Sequence, residues 1–157
     1  MSTSPSPWRA TTALLLAVLA AGCIPFKAGP VKLVGYALSS DPRANGASPV
    51  QVDLVVVGEA ELAKAVGKLS SAQWFAQRGQ LMLDHPRGLE VTSLEPVPGQ
   101  MLPRERLRLR ARKKAAAAFV FANYPTKGDH RVRVDPFPWI SIRLTEDSMA
   151  IEPVRGR

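Results

Sequence analysis

Short apolar segments recur along most of this chain, and turns rich in proline, glycine, asparagine and aspartate separate them. In several segments apolar and polar residues alternate, which is the period of a strand with one buried face. The segments predicted as strands are 31–38, 49–57, 89–97, 105–112, 115–124, 131–134, 139–144 and 149–152. Strands at this density favour an all-β fold in which antiparallel sheets pack as a β-sandwich.

Residues 59–79 depart from this pattern because their apolar positions have helical spacing. A stripe of residues four and three apart marks the first helix: Leu62, Val66 and Leu69. Ser70 and Gln73 have the spacing of a capping box, which predicts the start of a second short helix. Gly79 is then expected to end that helix as its C-terminal cap. The sequence therefore predicts a short helical insert within the sandwich.

Residues 115–124 fit two structures. Four consecutive alanines favour a helix. However, Phe119, Val120 and Phe121 lead directly into a turn at 125–128, as expected for a strand that is buried on both faces. We therefore predict a buried central strand here.

The composition argues against catalytic chemistry. The 157 residues suffice for one domain, and Cys23 is the only cysteine, so no internal disulfide or multi-cysteine metal site can form. The two histidines, His85 and His130, each follow an aspartate beside turn residues, which is typical of exposed turns. No nucleophile elbow, zinc-protease motif or phosphate loop occurs. We expect no enzyme activity, no metal and no cofactor.

The N-terminus has the three parts of an export signal. Arg9 precedes a small apolar run at 10–21, which is too short to span a bilayer, since spanning takes about 20 residues. Residues 19–23, Leu-Ala-Ala-Gly-Cys, resemble the lipobox of bacterial lipoproteins. This resemblance implies that 1–22 is a lipoprotein signal peptide and that Cys23 carries the lipid. The absence of aspartate after the cysteine (Ile24 stands there) implies sorting to the outer membrane.

The proline-rich residues 23–30 are then a tether, and 31–154 form the single β-sandwich domain on the periplasmic side. The net charge of +8 would suit nucleic acid, but an exported, membrane-tethered protein does not meet it, so we expect no nucleic-acid partner.

An arginine ladder occupies the predicted strand at 105–112. If the strand continues through it, one face carries every second residue, namely Arg104, Arg106, Arg108, Arg110 and Arg112. Such a face could dock on an acidic protein surface or on anionic lipid headgroups. The alternative is a solvated outer face of the sandwich.

Several segments resemble the TssJ family, the outer-membrane lipoproteins of the type VI secretion system. They are the lipobox ending at Cys23, the loop and strand at 45–54, the helix start with paired aromatics at 70–75, the Pro-Gly turn at 98–99 and the apolar strand at 116–124.

The resemblance implies a transthyretin-like β-sandwich with a helical insert and a structural, non-enzymatic role. It also implies binding to the periplasmic domain of TssM, an inner-membrane protein, through the loop between the first two strands. That loop is 39–48 here, so the candidate partner-binding residues are Asp41, Arg43, Asn45 and Gly46. The alternative is an unrelated envelope lipoprotein whose sandwich binds a small ligand, a glycan or an anionic lipid.

Overall fold

The computed structural model describes residues 30–109 and 115–154, which form two β-sheets and two α-helices. The strands are β1 (Gly35–Ser40), β2 (Val52–Val57), β3 (Leu89–Leu94), β4 (Met101–Arg106), β5 (Ala117–Ala122), β6 (Arg131–Arg133), β7 (Trp139–Leu144) and β8 (Met149–Pro153). The helices are α1 (Ala60–Val66) and α2 (Ser71–Asp84), and a 3₁₀ turn spans Ala44–Gly46.

The strands form two four-stranded sheets, ordered β4-β1-β7-β8 and β3-β2-β5-β6. Neighbouring strands run antiparallel except β1 and β7, which run parallel. The predicted all-β sandwich is confirmed, with this one parallel pair inside an otherwise antiparallel arrangement.

Two apolar cores hold three layers together. The larger lies between the sheets and contains fully buried side chains such as Leu33, Leu54 and Ile142. The second lies between the two helices and the outer face of the β3-β2-β5-β6 sheet. There, Trp74 packs on Phe121 with ring centroids 5.0 Å apart. Among the described residues, those of both cores lie between Val31 and Ile151, so this part of the chain has an apolar interior of its own.

The segment predicted at 115–124 is a strand, as expected. Every residue of β5 is buried, because one face of the strand contributes to each core. Tertiary burial on both faces therefore outweighs the helix propensity of the alanines.

The helical insert is present, and its second helix is longer than predicted. The capping box forms as expected: Ser70 Oγ accepts from the Gln73 N–H at 3.3 Å, and the Gln73 side chain accepts from the Ser70 N–H at 2.9 Å. The prediction that Gly79 ends the helix was wrong, because α2 continues to Asp84. Good helix formers follow Gly79, and nothing lies within 4 Å of a Cβ built there, so the glycine sits on an open helix face.

The predicted strand at 105–112 was also wrong in its bounds. The strand found there, β4, ends at Arg106, and residues 107–109 are irregular. A register shift opposite Ala37 leaves Pro103 and Arg104 as a bulge in this edge strand, a position where proline is tolerated. Arg106 pairs with Gly35, the first residue of β1, and beyond it the Leu107 N–H donates to Val34 O at 2.9 Å.

The two ends of the sandwich differ in what they carry. Four connections meet at one end, which we call the loop end: 41–51, 95–100, 123–130 and 145–148. Residues 30–34 enter the domain at the opposite end, the entry end, where the Val34 N–H donates to Pro138 O at 2.7 Å. Val31 and Leu33 are buried in the core, so the direction in which the chain enters is fixed by packing.

Candidate functional site

The four candidate partner-binding residues, Asp41, Arg43, Asn45 and Gly46, all lie in the β1–β2 connection at the loop end. The structure places three further connections beside them. The sequence analysis assigned partner binding only to the first of these four segments, and the contacts between them determine the shape of the surface.

Asp41 fastens the β1–β2 connection to strand β7. Its carboxylate accepts from Arg143 Nε and Nη2, both at 3.1 Å. The hydrogen bond and charge of Asp41, with a further contribution from Glu152, raise the pKa of the Arg143 guanidinium. The Asp41 carbonyl also accepts from the Ala44 N–H at 2.9 Å and from the Gly99 N–H at 3.3 Å. Asp41 is thus mainly a positioning residue, which holds two connections together.

Arg43 is the candidate residue most available to a partner. Its Nε lies 3.6 Å from Glu146 Oε2, and the two side chains are 83% and 56% exposed. An ion pair this exposed contributes little stability and exchanges readily with other charged groups. Together with Asp41, Pro42 and Arg143 the pair lines a shallow, charged recess of about 460 Å³.

Asn45, Gly46 and Ala47 give the connection its shape because all three have positive φ angles, of 51°, 61° and 61°. Asn45 stabilises this backbone by donating from Nδ2 to Pro49 O at 3.0 Å and from its N–H to Glu146 O at 3.0 Å. Ala44 is fully buried beneath it. The Asn-Gly pair was the visible sequence signal for this turn, whereas a left-handed alanine gives no such signal.

The β7–β8 connection is held from its other side by β5–β6. The Tyr124 hydroxyl donates to Thr145 O at 2.9 Å, and Thr126 Oγ1 donates to Asp147 O at 2.7 Å. Burial raises the pKa of Tyr124 to about 12, with Asp41 and Asp147 adding to the rise. The loop end is therefore a hydrogen-bonded platform rather than four independent loops.

His130 belongs to this platform. Its ring packs against Tyr124, with centroids 5.1 Å apart, and its Nε2 lies 2.9 Å from Thr126 O. The neighbouring Asp129 carboxylate instead accepts from Arg131. Asp129 and His130 thus bond to different partners, which agrees with the prediction that they are turn residues. Among residues 30–109 and 115–154, no three His, Cys, Asp or Glu side chains are placed to hold a metal ion.

The sequence analysis missed two exposed apolar side chains at the loop end. Val97 is 51% exposed and Met101 is 77% exposed, and both flank the β3–β4 turn. This turn is tied to the predicted site, since the Ser40 N–H donates to Gln100 O at 2.8 Å. A valine between two prolines was the available signal, because a turn gives such a side chain little to pack against.

The arginine ladder is only partly described. Arg104 and Arg106 share the outer face of β4, as predicted, while Arg108 lies beyond the strand, beside β3. Arg110 and Arg112 lie outside the described residues, as does Cys23. Within the described part of the chain, no helix is long and apolar enough to cross a membrane.

Among the comparisons with known proteins, only solved structures identify the class of fold. No protein-family profile matches the chain, and no curated protein matches it. Solved structures do match, and three of them come from type VI systems.

The lipoprotein TssJ1 from Pseudomonas aeruginosa aligns with a TM-score of 0.61 and 18% identity, over 82% of this chain and all of that one. A chain of a type VI membrane complex aligns with a TM-score of 0.57 and 12% identity, over 78% of this chain and 99% of that one. The Serratia marcescens lipoprotein Lip, a membrane-bound component of the same system, aligns with a TM-score of 0.49 and 16% identity, over 78% and 98%.

The chain therefore has the transthyretin-like β-sandwich fold of the TssJ lipoproteins, and the fold predicted from the resemblance is confirmed.

Proposed function

We propose that this chain is a structural component of a type VI secretion envelope complex. In this proposal it is a non-enzymatic lipoprotein, anchored in the outer membrane by lipid on Cys23 and facing the periplasm. Its loop end binds the periplasmic domain of a TssM-like inner-membrane protein. Two observations support this role: the similarity of fold, which covers the whole length of TssJ1, and the lipobox at 19–23.

The observation that carries the proposal is that the chain enters the domain at one end of the sandwich, whereas the candidate partner-binding residues lie at the other. Residues 24–29 separate Cys23 from the described domain, and the seven Cα–Cα steps from Cys23 to Pro30 reach at most about 25 Å when extended. A lipid on Cys23 would therefore hold the entry end near the membrane. The loop end would point away from it, into the space where an inner-membrane partner arrives.

The chemistry of the loop end suits a protein partner. Its charged recess is lined by Arg43 and Glu146, and the β3–β4 turn, whose Gly99 N–H donates to Asp41 O, adds the exposed apolar side chains of Val97 and Met101 at the same end. Protein interfaces combine apolar anchors, methionine and arginine among them, with a polar rim. The hydrogen-bonded platform also limits the conformational entropy that binding would remove.

The alternative, a sandwich that binds a small ligand, required an apolar pocket between the sheets. That space is occupied by core side chains, among them Leu54, Ile140 and Ile142, each no more than 1% exposed. The recess at the loop end is lined mainly by charged side chains, so its chemistry favours a polar surface contact over an enclosed apolar ligand.

The test is recovery of the partner from detergent-solubilised membranes with the full-length, tagged chain. The informative variant is Arg43→Glu, because it reverses an exposed charge and leaves the buried Ala44 and the turn at Asn45 intact. We expect the yield of a large inner-membrane protein to fall about tenfold, since like charges at an interface oppose association. A Val97→Ser, Met101→Ser double variant should give a similar loss.

Arg87→Glu is the matched control, because Arg87 is exposed at the entry end, after α2. If this control loses the partner as fully as Arg43→Glu does, the loop end is not the interface. If the wild type recovers no inner-membrane protein, the secretion role itself is refuted. Metabolic labelling with palmitate tests the anchor separately: the wild type should incorporate label and Cys23→Ala should not.

A further inference from the structure

The entry end carries an arrangement that the proposed partner contact does not use. Trp139, the first residue of β7, lies on the outer face of its sheet beside Gly35, its neighbour in register on β1. On the next strand, the guanidinium carbons of Arg104 and Arg106 each lie 5.8 Å from the centroid of the indole ring. The indole is half-buried, and both arginines are exposed.

A glycine makes this arrangement possible. A Cβ at Gly35 would overlap the carbonyl oxygen of Glu105 and the ring of Trp139. Any other residue would displace the indole from the strand surface, and the two arginines would lose the ring between them. The ring is thus positioned by close packing of the backbone, not by chance exposure.

The charges of this patch are not neutralised within the described part of the chain. Glu105 lies between the two arginines in sequence but projects to the opposite face, where it accepts from the Tyr36 hydroxyl at 3.2 Å. No carboxylate in residues 30–109 and 115–154 forms an ion pair with Arg104 or Arg106. Lys32 is exposed three residues before Gly35 and supplies a third cation at the same end of the sandwich.

We propose that Lys32, Arg104, Arg106 and Trp139 form a membrane-docking patch that binds the phosphate-bearing headgroups of the bilayer holding the tether. Guanidinium groups bind phosphate oxygens with paired hydrogen bonds, and tryptophan concentrates at membrane–water interfaces. Trp139 is level with Gly35, only five residues after Pro30, so a short tether brings the patch to the headgroups. The orientation rests on the proposed lipid anchor, whereas the headgroup chemistry does not.

Docking would give the anchor a second attachment and fix the tilt of the domain. Each arginine at an anionic surface strengthens binding about fivefold, and the pair about 25-fold. The loop end would then be held at a defined angle away from the membrane instead of swinging on the tether.

The experiment uses the unlipidated chain, residues 24–157, because both apolar cores lie within it. Sedimentation with vesicles of phosphatidylglycerol and phosphatidylethanolamine is compared with sedimentation with phosphatidylcholine alone, at low salt. We expect binding to the anionic vesicles only, weakening as salt is added. Arg104→Gln with Arg106→Gln should reduce the affinity about 25-fold.

The matched control is Lys68→Gln with Lys127→Gln, which removes the same charge from exposed positions away from the patch. Equal loss in both double variants, or equal binding to phosphatidylcholine, would overturn the proposal. Unfolding midpoints in urea confirm that each variant is folded before it is assayed.

A second measurement reports the orientation. Trp74 and Trp139 are the tryptophans of residues 24–157, and Trp74, which belongs to α2, is fully buried against β5. Brominated acyl chains in the anionic vesicles should quench Trp139, and Trp139→Phe should abolish the quenching. Quenching that persists in Trp139→Phe would place another surface on the membrane. Because the chain tested carries no lipid, failure of Cys23 acylation would leave this result unchanged.

Discussion

The contact between helix α2 and the sheet depends on one buried carboxylate. Asp53 on β2 is fully buried, and its Oδ2 accepts from Trp74 Nε1 at 2.9 Å and from Arg78 Nη1 at 2.8 Å. Its other oxygen, Oδ1, has no hydrogen-bond partner. Arg78→Met would therefore leave a buried charge with a single neutral donor. Methionine keeps the aliphatic packing, since the Arg78 side chain lies over the ring of Phe75.

Removing one partner of a buried ion pair lowers the free energy of unfolding by about 3–5 kcal/mol. We expect about 3 kcal/mol here, because the Arg78 side chain is 31% exposed and water can partly replace it. This is a large part of the 5–15 kcal/mol by which domains of this size are stable, and it corresponds to a fall of about 10 °C in Tm. Urea unfolding of residues 24–157, followed by circular dichroism, measures the loss. Arg78→Lys should restore part of the stability, since it keeps the charge.

Lys64→Met is the control, because it removes an i,i+3 ion pair with Glu61 whose side chains are 68% and 84% exposed. That pair is worth about 0.5 kcal/mol or less. If Arg78→Met costs less than about 1 kcal/mol, the ion pair does not hold α2 on the sheet, and apolar contacts around Trp74 must suffice.

Three further predictions concern the loop end, the tyrosines and the outer sheet face. Ala47→Gly should raise the free energy of unfolding by about 1 kcal/mol in urea titrations, since Ala47 has a φ of 61°; no gain would mean that the left-handed turn is absent. The chain has two tyrosines, Tyr36 and Tyr124, and burial raises the pKa of both from 10.0 to about 12. Their neutral forms therefore stabilise the fold fully below pH 10 and progressively less as the pH rises to about 12; phenolate absorbance near pH 10 in the native chain would contradict this. Gly35→Ala should cost about 2 kcal/mol through overlap with Glu105 O and the Trp139 ring, whereas Gly79→Ala, with open space around it, should stabilise α2.

The strands were predictable where pattern and burial agree. In β7, Trp139–Leu144, apolar residues alternate with polar ones, and the predicted bounds are those observed. In β4 the same alternation continues past the end of the strand, because the Arg–Leu repeat extends beyond the residues of β1 that can pair with it. The extent of an edge strand depends on its neighbour, which a local pattern does not contain.

The site was predictable only as far as turn chemistry reaches. The Asn45-Gly46 pair predicts a left-handed turn, and both residues have positive φ angles in the structure. Arg143, which donates to the Asp41 carboxylate, lies 102 residues away in the chain. No sequence pattern predicts a contact between residues so far apart. Contacts of that range are set by topology.

One property of the topology explains both ends of the molecule. Successive strands alternate in direction, so every odd-numbered strand runs toward the loop end and every even-numbered strand runs back. This is why β1 and β7 pair in parallel, although neither is joined to the other by a crossover helix. It follows that the chain enters at one end and that all four odd-to-even connections, including the predicted partner site, gather at the other. The β4–β5 connection joins an even strand to an odd one, so its described residues, 107–109 and 115–116, lie at the entry end. In the proposed role, anchoring and partner binding would thus occupy opposite ends of the sandwich, so a change in one surface would leave the packing of the other intact.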